Sequence, residues 1–316
     1  MVGLQMRLYL LLGVFFGIIY FIVFTLGNLI GFGNNIFYLG FSLVMILIQY
    51  LMGPKMVEWS MGVKYINEAD DPVLYGMVKE LAETARIPMP KVGISAQNIP
   101  NAFAFGRSLR DGRVCVTSAI RGLLNDNEMR AVLGHEISHL KNRDVLFVTL
   151  LSVIPNILYF ISMSLMRSRN NRNGGALALV GVASLLLYFV SNLLVLYASR
   201  IREYFADRGA VALGNKPEYL ASALYKLVYG SSRVGRDDLR RTEGMKAFFA
   251  NDPSRAKKEF ADLRQLDIDG SGTIDSDELA NLSNQKVKVG LGDRIMEFMS
   301  THPNMLKRIK ALSEIR

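Results

Sequence analysis

The sequence predicts a mainly α-helical protein with a small β-hairpin or sheet, in which multi-pass membrane helices carry a polar α+β domain. Three observations lead there. Long uncharged runs alternate with segments of mixed charge. The stretch "GHEISHLKNRD" sets two histidines four residues apart within a helical pattern, and "NAFAFGRSLRDGRVCVTS" alternates like a pair of strands around Asp111-Gly112. Half of the 316 residues are hydrophobic, and the mean hydropathy is positive, a balance that points to membrane segments in so long a chain.

The membrane elements come first. No residue from Leu8 to Pro54 is charged, and "GFGNN" (Gly31 to Asn35) divides the stretch into two runs, each long enough to cross a hydrocarbon core of ~30 Å. Residues 1–54 therefore read as a transmembrane hairpin. A secretory signal fits less well, because the first run exceeds a signal's apolar core and no small-residue cleavage site follows. Val145 to Met166 and Ala176 to Leu196, joined by "RSRNNRNGG", read as a second hairpin within 145–199. The polar segments 55–144 and 200–316 fall on one side of the bilayer if both hairpins span it.

Arg7, Lys55, Lys64, Lys141, Arg143, Arg200 and Arg202 flank the apolar runs on that side, which the positive-inside rule assigns to the cytoplasm. Arg167, Arg169 and Arg172 in the second hairpin's loop run against the rule. A shallow or protein-buried second hairpin, or dominance of the first, would accommodate them. The net charge of +9 is scattered along the chain; no nucleic-acid motif accompanies it, so nucleic acid is not an expected partner. The single Cys115 excludes an internal disulfide and reads as a buried thiol.

The chemistry lies in "LNDNEMRAVLGHEISHLKNRD". Asn125 or Asn127 can cap a helix whose apolar positions Met129, Val132, Leu133, Ile137 and Leu140 recur at helical spacing. His135 and His139 then project from one face within about 40° of each other, with Glu136 on the adjacent edge. This HExxH arrangement suits one catalytic zinc, which takes nitrogen donors in a tetrahedron and keeps a position for water. Glu136 is placed to take that water's proton and return it to a leaving amine. The chain holds only three histidines, so a chance match is improbable.

A third protein ligand is required. The glycine and third histidine of the metzincin pattern do not follow His139, so a downstream acidic ligand is expected, which would make the polar domain gluzincin-type. "SRIREYFADRGAVAL" offers Glu203 and Asp207 four residues apart. Glu203 suits the metal, and Asp207 suits the ring N–H of a ligating histidine, whose tautomer it would fix.

"GHEISHLKNRD", a membrane hairpin and "SRIREYFADRGAV", with "PNAFAFG" upstream and "STHPNMLKRIKAL" downstream, resemble the HtpX family of membrane-embedded zinc metalloproteases, relatives of the CAAX prenyl proteases. The resemblance covers most of the chain apart from roughly residues 251–290. It implies His135, His139 and Glu203 as zinc ligands, Glu136 as general base and acid, and Asp207 in support. It also implies a cytoplasmic active site and polypeptide substrates, among them misfolded membrane proteins.

Three features are open at this level. In relatives the first strand of the hairpin lies beside the cleft, which would make Asn101, Ala102, Phe103, Ala104 and Phe105 substrate contacts; a plain structural hairpin with a tight Asp-Gly turn accounts for them equally. "STHP" can start the final helix, capped by Ser300, Thr301 or His302 with Pro303 in the first turn. The family carries this His-Pro and a downstream Arg, which favours His302, with Arg308, as donors to the oxyanion of the tetrahedral intermediate.

The third is "LDIDGSGTIDSDEL", read as an EF-hand-like calcium loop within an inserted segment 255–285. Asp267, Asp269, Ser271, Thr273 (through its carbonyl), Asp275 (through water) and Glu278 fill the ligand positions, and Gly272 stands at the sharp turn. No second loop exists for Ile274 to pair with, so the loop would dimerise, dock on the protease domain or bind weakly. A rival function from another class is a catalytically idle membrane scaffold that signals through this loop. Glu136 argues against it, because an idle site has no need of the base.

Overall fold

The computed structural model describes residues 51–167, 174–235, 255–283 and 297–315. Residues 1–50 of the first predicted hairpin, the loop of the second, residues 236–254 and 284–296, and Arg316 lie outside these residues. The chain divides into two compact units: Met1–Met52 with Phe147–Ala198, and Gly53–Leu146 with Ser199–Arg316.

In the first unit, helices α3 (Asp144–Arg167) and α4 (Gly174–Ala212) pair through Leu151, Ile154, Leu158, Leu165 and Leu177. Ser162 Oγ donates to the Gly181 carbonyl at 2.9 Å. Of the described helices, the stretch Leu177–Ala212 alone is long and apolar enough to cross a membrane. Of the two runs read as spans here, one passes that test among the described residues.

The second unit is built on a mixed sheet. Its strands β1 (Val63–Ile66), β2 (Lys91–Ser95), β3 (Ala102–Phe105) and β4 (Arg113–Thr117) lie in the order β1-β2-β4-β3. β2 and β4 run parallel and the outer pairs antiparallel, with Phe103 opposite Cys115. The hairpin expected from alternation is present, but its turn is not the tight one. Gly112 has φ −69° and a short 3-10 turn, Leu109–Asp111, lengthens the connection. The positive φ sits instead at Gly106 (155°), where a Cβ would strike the Asp111 backbone.

Helix α1 (Pro72–Ala85) starts on an Asp71 side-chain cap with Pro in its first turn and buries Leu74, Val78, Leu81, Ala82 and Ala85, one helical stripe. Helix α2 (Asp126–Lys141) starts on Asn125, whose side chain and that of Glu128 form a reciprocal capping box. Glu128 also accepts from Ser222 Oγ at 2.6 Å and Lys226 Nζ at 2.9 Å, fastening α2 to α5 (Pro217–Ser232).

The calcium-loop segment is no appendage. Its helices α6 (Ala256–Leu263) and α7 (Ser276–Ser283) pack on α5 and on α8 (Met305–Ser313). Leu263, Leu266, Ile274, Leu279 and Leu282 join the main core. Ile274 is fully sequestered there rather than in a strand, so this unit covers the face that a second EF-hand would otherwise cover.

Candidate active site

Two helices bring the site together. On α2, His135 and Glu136 are buried and His139 nearly so. The polar extension of α4 beyond Ala198 supplies Glu203 and Asp207, also buried. The helices cross closely because Gly134 and Gly209 lack side chains: a Cβ on Gly209 would sit 2.7 Å from Ser138 Cβ, inside van der Waals contact.

His135 Nε2 and His139 Nε2 are 3.1 Å apart, and each lies 3.6 Å from a Glu203 carboxylate oxygen. Donors held by a tetrahedral zinc at its usual bond lengths stand roughly 3.3–3.6 Å apart, so this triangle has the required size. Protonation agrees. His139 Nδ1 lies 2.6 Å from Asp144 Oδ2 and His135 Nδ1 lies 2.9 Å from Asp207 Oδ1. A carboxylate only accepts, so His139 Nδ1 carries the proton toward Asp144 and leaves its Nε2 lone pair for a metal. Charge agrees as well. Among the described residues, three buried carboxylates, Asp144, Glu203 and Asp207, share two guanidiniums, Arg202 and Arg308, an acidic excess that suits a cation.

The sequence reading gives Asp144 no role and takes Arg202 only as a basic residue flanking an apolar run. Arg143 adopts the left-handed conformation (φ 55°), and this reverses the chain so that Asp144 reaches back to His139. Arg202 then pairs with Asp144 at 2.6 Å. An aspartate five residues after the second histidine was the available signal.

Burial, the largest influence, pushes the Glu136 carboxyl up, and the two histidines oppose it. A raised carboxyl that stays next to the metal position suits a group that must hold a proton between two steps.

His302 lies beside Glu203. Its Nδ1 is 3.5 Å from Glu203 Oε1, and both ring nitrogens are buried without a hydrogen-bond partner. It does not cap the last helix: Asn304 does, accepting from Leu306 N at 3.0 Å. Arg308 is placed differently from expectation. It is fully buried, with Nε and Nη2 on Asp207 at 3.0 and 2.6 Å and Nη1 2.9 Å from Glu203. A guanidinium so engaged orients the two carboxylates.

β3 lies alongside α2 at the sheet's edge. Asn101, Ala102, Phe103 and Phe105 are buried and Ala104 is half-buried. Phe103 and Phe105 turn into a small core with Val57, Met61, Ile99 and Cys115, because alternate residues of an edge strand still share the sheet's covered face. Side-chain contact with substrate is thereby limited, and the outer backbone edge is what the strand offers. Across the molecule, Asp267, Asp269 and Glu278 bring carboxylate oxygens within 4.8 Å of one another. Asp267 Oδ2 accepts from Gly272 N at 3.0 Å, Gly272 has φ 78°, Ser271 Oγ meets Thr273 Oγ1 at 2.9 Å, and Asp275 Oδ1 caps α7 through Glu278 N at 2.8 Å.

Comparison with known proteins agrees with the geometry. Residues 68–316 match Peptidase family M48. Protease HtpX homolog of Methanothermobacter thermautotrophicus is 48% identical over 240 residues, 75% of this chain and 92% of that one. Protease HtpX homolog 2 of Methanosarcina mazei is 34% identical over 288 residues, 90% and 86% of the two chains. The chain belongs to the HtpX family. The crystal structure of S. mikatae Ste24p shares the fold, with a TM-score of 0.55 at 16% identity over 99% of this chain and 67% of that one. As an HtpX-family member the chain is a membrane-associated metalloprotease acting on polypeptides.

Proposed function

We propose that this HtpX-family chain is a multi-pass zinc endopeptidase of the cell membrane, with its catalytic unit facing the cytoplasm and misfolded membrane proteins among its substrates. The observation that carries the zinc reading is the convergence of His135, His139 and Glu203 on one point, with Glu136 beside it. Bound there, zinc would supply Lewis acidity, making a water acidic near neutral pH. Glu136 takes the proton of the attacking water and hands it to the leaving amine. Asp144 and Asp207 hold the two ligand rings in one tautomer. Arg308 holds Glu203 and Asp207, and His302 donates to the oxyanion. The outer edge of β3 aligns the substrate backbone as an added strand.

The test is Glu136→Gln. Cleavage of a reconstituted membrane protein should vanish while zinc content stays at the wild-type level. Persistence of cleavage would defeat the mechanism. An inert wild type that still binds calcium would favour the idle scaffold instead.

A second reading concerns the loop 266–279, which we propose binds one calcium ion through Asp267, Asp269, Ser271, Thr273, Asp275 and Glu278. Its support is the three clustered carboxylates together with the buried, unpartnered Asp267 Oδ1. Lys310 Nζ, on the helix that carries Arg308, donates to the Leu282 carbonyl at the end of α7, a route by which the loop could modulate the site. Protease rate against free calcium, compared in wild type and Glu278→Gln, tests it: superimposable curves would leave the loop a structural brace.

A further inference from the structure

Helix 51–61 has two apolar faces, and one of them is uncovered. Pro54, Val57 and Met61 turn inward, where Val57 and Met61 pack with Phe103 and Phe105 of β3. On the other side Met52, Lys55, Met56 and Trp59 follow at i, i+3, i+4 and i+7, the spacing of a single helical stripe, and all four are exposed. Met56 and Trp59 are 62% and 88% exposed. Isolated apolar residues on a surface need no explanation, but a stripe of Met, Met and Trp with a lysine among them has the make-up of a helix at a membrane interface. There an indole sits at headgroup level and a lysine reaches toward phosphate.

Chain continuity names the occupant. Residues 51–54 of the helix are the last of the uncharged run that closes at Pro54, so the stripe lies where a bilayer-crossing segment would end. Lys55 suits anionic headgroups. We propose that this stripe is a lipid-contact surface lying in the headgroup layer of the bilayer, so that the helix is held between lipid on its outer face and β3 on its inner one. Strand β3 is thereby seated at the membrane surface, and segments of polypeptide presented at that surface reach it first. This last consequence rests on the reading of β3 as the substrate edge; the lipid contact does not.

Trp59 is the chain's one tryptophan beside 13 tyrosines, so emission excited at the red edge, where only indole absorbs, reports on the stripe alone. The full chain would be placed in nanodiscs of phosphatidylcholine and phosphatidylglycerol, with lipid brominated high on its acyl chains as one quencher and aqueous iodide as the other. The expected result is loss of most of the emission to brominated lipid and little to iodide. Quenching by iodide alone overturns the proposal. Protection from both quenchers overturns it as well, since protein would then cover the stripe.

In a second arm, Met56→Gln/Trp59→Gln is compared with wild type on one peptide, free in solution and tethered to nanodisc lipid. Cleavage of the free peptide should be unchanged and that of the tethered peptide several-fold slower; equal rates on the tethered peptide overturn the link to β3. A wild type that cleaves neither peptide would refute the protease reading while leaving the quenching result to stand by itself.

Discussion

The guanidinium of Arg308 lies 2.9 Å from Glu203 Oε2 and grips Asp207 with its other face. One side chain from the last helix thus fixes a candidate metal ligand and the carboxylate behind another. Arg308→Ala would leave two buried carboxylates uncompensated, at a cost of about 3–5 kcal/mol. Arg308→Lys keeps the charge but loses the fork and should fall between. Thermal unfolding and zinc analysis of both variants measure this. Wild-type stability in Arg308→Ala would remove the ion-pair account.

Asp144 Oδ2 lies 2.6 Å from His139 Nδ1, and under the proposed zinc reading it acts on the metal through that ring. Asp144→Asn keeps the shape but lets the ring take the wrong tautomer, so zinc affinity should drop by roughly 10–100-fold. Competition against a chelator of known affinity reads the change directly. An unchanged affinity would make Asp144 a partner of Arg202 alone.

The crossing of α2 and α4 depends on Gly209. Gly209→Ala drives a methyl group into Ser138 and should destabilise the unit by about 1–3 kcal/mol. Ser138→Gly in the same chain removes the clash, since Ser138 Cα lies 3.9 Å from the added Cβ. Denaturant unfolding of the single and double variants should therefore show partial recovery. Additive losses would place the defect elsewhere.

Cys115 is fully buried in the small core beneath helix 51–61, and burial pushes its thiol up to about 12. The thiolate is the reactive form, and it is scarce at any ordinary pH. A thiol reagent at pH 8 should leave the native protein unmodified and label it promptly after denaturation. Rapid labelling of the native state would show that this core opens.

The sequence alone settled what depends on short-range geometry. Four residues on a helix turn His135 and His139 to one face whatever the surroundings, and an uncharged run is legible without any partner. Glu203 could be expected because HExxH leaves the metal short of a ligand and the chain offered an acidic pair on a helix continuous with an apolar run. The cap at Asn125, one of the two residues offered for it, and the strand alternation of 101–118 were likewise local signals, although the hairpin's tight turn was not kept.

Tertiary structure decided the rest, and the reason is separation along the chain. Arg308 meets Asp207 across 101 positions, so no spacing rule could have moved it from the oxyanion to the carboxylates. Asp144 reaches His139 only because Arg143 turns left-handed, a choice that its own side chain does not announce. β2 lies parallel to β4 with β3 intervening in sequence, a pairing invisible to alternation. The EF-hand-like segment was open to dimerising, docking on the protease domain or binding weakly. Burial of Ile274, Leu279 and Leu282 in the shared core chose docking, because apolar area hidden against α5 and α8 stabilises a loop that has no second loop to pair with.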